Sequence, residues 1–176
     1  LITADRTGTE KRPEGSPERI EKRPTAGKGS HMERDDDIKK IMTKLLFEKT
    51  GNLYSERVID YGTCPRNCGT LNRPDGYAKV TGPCGDTVEI FLRIMNEKIR
   101  DIRYTTDGCM TSHAAVSAAT EMARGKPLRE CLKINQSSIL DHLGGLPDDS
   151  RHCALLAAIT LHKALRSFAV GKTRKD

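Results

Sequence analysis

The spacing of apolar residues changes character three times along the chain. Across 36–49 they recur at Ile38, Ile41, Met42, Leu45 and Leu46, the repeat of one helical face. Asp35, Asp36 and Asp37 lie near the start of that repeat, where negative charge complements the helix dipole, so the acidic run needs no bound cation to explain it. Gly51-Asn52 stops this extra N-terminal helix, and Ser55 with Glu56 opens a shorter one ending near Gly62. From Tyr77 the period falls to two. Val88, Ile90, Leu92 and Ile94 alternate with Glu89, Phe91, Arg93 and Met95, which predicts a half-buried antiparallel strand. Asn96-Glu97 makes a tight turn, 98–106 reads as the returning strand and 77–81 as the strand before.

After Cys109 the period is helical again. Ala115, Ala118, Ala119 and Met122 share a face, and Gly125 is placed as a stop. Short helices are expected near 128–132 and 137–143. A last helix over 151–170 carries Ala154, Ala157, Ala158, Leu161, Leu165 and Phe168 on one stripe. The order predicts an α+β fold: a three-stranded antiparallel sheet with helices packed on one side.

Composition narrows this to one core. The chain has 176 residues, 36% hydrophobic but only 4% aromatic and without Trp, so aliphatic side chains, Ala and Cys must fill the interior. Residues 1–32 are rich in Pro, Gly, Thr and charge and are expected to be a mobile tail; within them Gly29-Ser30-His31-Met32 reads as a cloning scar, which removes His31 from the chemistry. The expected divisions are that tail, a helical extension over 33–53, a main domain over 54–170 and a basic tail over 171–176. The net charge of +6 is concentrated in the two tails, which argues against a nucleic-acid-binding face. No run approaches the roughly 20 apolar residues of a membrane span, and no signal-peptide core opens the chain; the expectation is a cytoplasmic protein with no membrane partner.

In a reducing compartment six cysteines read as ligands, sulfur chemistry or small core residues before disulfides. Three of them stand at the ends of elements: Cys84 in Pro83-Cys84-Gly85-Asp86, Cys109 after Gly108, and Cys153 after His152. Helix-start N–H groups favour the thiolate, so Cys109 and Cys153 are expected to be better ligands than average. Three thiolates with Asp86 or His152 as a fourth ligand suit zinc or an iron–sulfur cluster. Cys131 reads as core, His113 as solvated, and His142 and His162 lack context. The intervals between the three thiols are too long for a local clip, so spacing alone decides nothing.

The motifs go further. Tyr54-Ser55-Glu56-Arg57-Val58-Ile59-Asp60, Pro65-Arg66-Asn67, Cys84-Gly85-Asp86, Asp107-Gly108-Cys109, Thr120-Glu121, Gly125-Lys126 and His152-Cys153 resemble, in order, the signatures of the IscU/NifU N-terminal-type iron–sulfur cluster assembly scaffolds, over about 54–170. The resemblance implies an IscU/SufE-like fold and a non-enzymatic scaffold. Such a scaffold receives sulfur from a cysteine desulfurase, works with an iron or electron donor protein, and passes its cluster to apo-proteins. It implies Cys84, Cys109 and Cys153 as ligands of a [2Fe-2S] cluster, or of Zn2+ at the same site. Asp86 would keep the cluster labile, Cys153 would accept sulfur, and Lys126 would lie near the site.

Two departures stand out. Leu146-Pro147-Asp148-Asp149-Ser150 replaces the family's Leu-Pro-Pro-Val-Lys segment, which argues against specialised Hsp70-type chaperone recognition. Cys64 and Cys68 are thiols that well-known members lack, and they are possible accessory residues. Two other readings compete: a zinc-bound sulfur acceptor like the SufU branch, whose extra insertion the interval between Cys109 and Cys153 leaves little room for, and a structural zinc module, which would use four strong ligands. A cysteine hydrolase fits poorly, because His152 and Cys153 are chain neighbours.

Overall fold

The computed structural model describes residues 29–49 and 53–173; the stop expected at Gly51-Asn52 and the tail over 1–28 lie outside them. Helix α1 is Gly29–Lys49, α2 Glu56–Thr63, β1 Gly76–Thr81, β2 Thr87–Met95, β3 Lys98–Thr106, α3 Met110–Ala123, α4 Leu128–Cys131, α5 Gln136–Leu143 and α6 Arg151–Thr173, with a 3-10 turn at Asp148–Ser150 before the last. The strands form one antiparallel sheet in the order β1-β2-β3. Their inward residues Ala78, Val88, Ile90, Leu92, Ile99, Ile102 and Tyr104 are all buried, and β2 slips register between Arg93 and Ile94. Helices α3 and α6 cover this face, α2 packs on α3, and α5 lies against both covering helices. The expected α+β layering is what the chain adopts.

The caps follow from local chemistry. Ser55 caps α2 by accepting from the Val58 N–H at 3.1 Å. Asn135 and Ser138 form a reciprocal capping box at α5, satisfying N–H groups that a helix start leaves open. Gly144, at φ 76°, ends α5 in the left-handed region.

Two expectations need correction. Helix α1 starts at Gly29 rather than 36, because nothing in Met32-Glu33-Arg34 interrupts a helix. The segment read as a tail scar is therefore its first turn, and Asp35, Asp36 and Asp37 fall beyond that turn, where the dipole argument no longer applies. Its apolar residues Ile38, Ile41, Met42 and Leu45 are each more than half exposed, since α1 packs chiefly on α2. The second correction concerns α6. Together with the preceding turn it forms a 24-residue stretch, Asp148–Gly171, that contains 18 residues with a mean hydropathy of 1.4, long and apolar enough to cross a membrane, yet half of those residues are buried in the fold. Ala154, Ala157, Ala158, Leu161, Ala164 and Leu165 face the core, which is how a central helix of a packed domain acquires such a composition.

Candidate functional site

The hairpin between β1 and β2 brings the first thiol to the end of the sheet. Gly82 N–H donates to the Asp86 carbonyl at 2.8 Å, and Gly85 N–H to the Gly82 carbonyl at 3.1 Å. Gly85 sits at φ 90°, a conformation that strains any residue with a Cβ. The turn leaves Cys84 exposed, and Gly82 lies where an added Cβ would come within 3.7 Å of Cys84 Sγ and 3.1 Å of Leu156 Cδ2 on α6. At the neighbouring β3–α3 junction, Thr87 N–H donates to Asp107 Oδ1 at 2.6 Å and Gly108 N–H to Thr106 Oγ1 at 3.1 Å. These bonds fix Cys109 as the N-cap of α3.

Two hydroxyls in the first turn of α3 join the remaining groups. Thr111 Oγ1 is 3.1 Å from Cys109 Sγ and 3.6 Å from Cys153 Sγ. Ser112 Oγ is 2.5 Å from Asp86 Oδ2 and 3.3 Å from Cys153 Sγ. His152 Nε2 stands 3.7 Å from the same sulfur. Cys84, Asp86, Cys109, His152 and Cys153 thus gather at one end of the molecule. As they stand, Cys109 and Cys153 are separated by the Thr111 hydroxyl, and among the described residues no three Cys, His, Asp or Glu side chains are arranged to hold one ion. The donor set is thiolate-rich with one carboxylate and one imidazole, which suits a soft metal; rotation of the exposed Cys84 and Cys109 side chains is what closure around one would require.

The two helix-start cysteines are not equivalent. Burial pushes the Cys109 thiol up, but hydrogen bonds from the Thr111 hydroxyl and the Ser112 and Thr111 N–H groups outweigh it, and the net shift is downward. Cys153 is 3% exposed, and burial raises its thiol despite help from Ser112 and Thr111. The expectation that a helix start makes both sulfurs readily ionised holds for Cys109 alone, because the low dielectric around Cys153 wins. Brief iodoacetamide treatment of the metal-free protein at neutral pH is therefore expected to label Cys109 well before Cys153, with Cys109 labelling persisting to lower pH. Peptide mass spectrometry reads the order, and equal labelling would contradict this account.

The family model described as "NifU-like N terminal domain" matches residues 53–175. The chain belongs to this family. It is 41% identical over 117 residues to the iron-sulfur cluster assembly scaffold protein IscU 1 of Archaeoglobus fulgidus, covering 66% of this chain and 76% of that one. It is 36% identical over 126 residues to the scaffold protein IscU of Aquifex aeolicus, covering 70% and 80%. Among solved structures, a NifU-like N-terminal protein from Brucella abortus superposes with a TM-score of 0.58 at 19% identity, over 67% of this chain and 95% of that one. A SUF-system scaffold described as putative from Fervidobacterium islandicum superposes with a TM-score of 0.54 at 23% identity, over 64% and 96%. These two likenesses speak to fold.

Not every residue singled out in the sequence of this NifU-like domain reaches the site. Lys126 is exposed beyond the C-terminal end of α3, where its carbonyl accepts from the Ile99 N–H at 3.0 Å. Cys109 is at the opposite end of that 14-residue helix, roughly 20 Å away, so the expectation that Lys126 lies near the site is corrected. Cys64 is the C-cap of α2, and exposed Cys68 forms an isolated bridge with Tyr104. Among the described residues neither is hydrogen-bonded to a site thiol. His113 is not simply solvated, since its ring lies 3.3 Å from the Tyr104 hydroxyl. Cys131 is fully buried, as expected of a core residue, and burial pushes its thiol up to about 11. Thr111 and Ser112 went unnoticed in the sequence; the available signal was two hydroxyl residues following Cys109 in the first turn of a helix.

Proposed function

We propose that this NifU-like domain is a scaffold on which iron and sulfide are assembled into a cluster, a [2Fe-2S] unit, carried by Cys84, Cys109 and Cys153 and then transferred to apo-proteins. The cluster is cargo, and the protein's work is to gather, hold and release it. The observation that supports this is the convergence of the N-cap thiol of Cys109 and the buried α6 thiol of Cys153 on Thr111, with the exposed hairpin thiol of Cys84 close enough to act on Cys153, in a chain 41% identical to a protein named as such a scaffold.

Sulfur arrives by attack of the Cys153 thiolate on the terminal sulfur of a desulfurase persulfide. The new S–S bond forms as the old one breaks, and the desulfurase thiolate leaves. Because Cys153 is 3% exposed, the groups packed around it must give way for the two sulfurs to meet. Reducing the transferred sulfur to sulfide takes an electron pair, the contribution of an iron or electron donor protein. All six cysteines are free, as a reducing compartment keeps them, and the cytoplasm is the setting this favours. Asp86 and His152 are the remaining donors, the carboxylate being the harder and more exchangeable one. Asp86 is assigned to limiting cluster lifetime.

Anaerobic reconstitution with ferrous iron, cysteine and a desulfurase is expected to give the visible and Mössbauer signatures of a cluster, lost in Cys84→Ser or Cys109→Ser. In Asp86→Ala, cluster loss to a chelator is expected to slow by about tenfold, the scale of one interaction to a charged group. A protein that retains zinc throughout and forms no cluster would overturn the scaffold reading.

A further inference from the structure

A single side chain among the described residues holds Asp86. Among the described residues it takes part in no ion pair, and the side-chain donor to its carboxylate is Ser112, at 2.5 Å. That short separation marks a charge-assisted bond. Ser112 is 1% exposed and fixed by the first turn of α3, so it cannot follow the carboxylate if Asp86 swings away. The absence of a side chain at Gly108 keeps the two together: a Cβ there would stand 2.5 Å from Asp86 Oδ2 and 2.7 Å from Ser112 Oγ.

A hydroxyl has one proton to give, and this one has two acceptors in reach, since Cys153 Sγ lies 3.3 Å away. In the structure the carboxylate, at 2.5 Å, is the nearer of the two acceptors. Once that sulfur is bound to iron as a thiolate, it competes for the same proton. We propose that Ser112 is a positioning residue that withholds the Asp86 carboxylate from the site until Cys153 is occupied, then exchanges one partner for the other and frees Asp86 to destabilise the finished cluster. This rests on the reading that Asp86 limits cluster lifetime.

Thr111 supplies an internal control, because it touches Cys109 and Cys153 but not Asp86. Removing the Ser112 hydroxyl leaves the carboxylate permanently free, so Ser112→Ala is expected to lose a reconstituted cluster to a chelator about tenfold faster than the parent protein. In an Asp86→Ala background the same substitution is expected to change nothing. In the cluster-free protein, the carbon-13 resonance of the Asp86 carboxylate is expected to move in Ser112→Ala and to stay in place in Thr111→Ala. If Asp86→Ala fails to slow cluster loss, the assigned role of Asp86 falls and this proposal with it. If Asp86→Ala does slow it, the Ser112 proposal alone is overturned by any of three results: an unchanged or slower loss in Ser112→Ala, an effect that survives without Asp86, or a carboxylate resonance that does not move.

Discussion

Gly108→Ala is expected to slow cluster assembly by about 100-fold while leaving the secondary structure intact. The new methyl carbon would stand 2.5 Å from both Asp86 Oδ2 and the Ser112 Cβ, distances that no real contact sustains. The Asp86 carboxylate can turn aside, but Ser112 Cβ belongs to α3 and cannot, so the β3–α3 junction must shift and Cys109 with it. Displacement of reacting groups by about 1 Å costs rates on this scale. The overpacking itself is expected to cost about 1–3 kcal/mol of stability. Rates of cluster formation measured alongside circular dichroism separate the two effects. An assembly rate within twofold of the parent would show that the junction accommodates the methyl without moving Cys109.

Gly76→Ala is expected to produce the largest loss of stability of the substitutions considered, about 3 kcal/mol, with a drop in melting temperature on the order of 10 °C. The added Cβ would lie 2.6 Å from the carbonyl oxygen of Ala164, 3.2 Å from Phe168 Cβ and 3.3 Å from Leu92 Cδ1. The nearest atom is main chain of α6, so no rotamer change relieves the contact; the helix must lift from β1. Tyr77 N–H, which donates to Ser167 Oγ at 2.8 Å, would be strained along with it. Thermal or urea unfolding measures the effect, and an unchanged midpoint would mean that α6 sits less tightly than the distances indicate.

Much of the fold was legible because its elements have distinct periods. The strict alternation from Val88 to Met95 left little choice but a half-buried strand, and the alanine-rich stripes after Cys109 and Arg151 fixed the two covering helices. Helix α1 was legible as a helix but not in extent, since an uninterrupted run of helix-tolerant residues carries no start signal. Its apolar repeat also gave no sign that little would cover it. The long apolar helix α6 was recognised while its resemblance to a membrane span was not, because alanine counts as apolar without appearing so in a search for large side chains.

The site was legible through motif order, which grouped Cys84, Asp86, Cys109, His152 and Cys153 without showing how they meet. Position in a list of motifs misled at Lys126: its motif follows Cys109 closely in sequence, but an entire helix separates them in space. Thr111 and Ser112 were invisible for the opposite reason. Hydroxyl residues in a helix are ordinary until the partners facing them, supplied by a hairpin and by α6, are known.

The small bridge between Cys68 and Tyr104 has a consequence for how this protein behaves at high concentration. Strand β3 is an edge, and an edge with unmet N–H groups invites another chain to add a strand. Here Tyr104 N–H donates to the Asn67 carbonyl at 3.0 Å and Ile99 N–H to the Lys126 carbonyl at 3.0 Å, while Ile102 N–H is taken by the Asp101 carboxylate at 2.9 Å. The segment carrying Cys64 and Cys68 thus acts as a selvedge, sealing one end of the border as the Gly125-Lys126 turn seals the other. Loosening it would open β3 to its counterpart on a second molecule, and because that pairing is self-complementary it would join the two sheets into one and close at a pair.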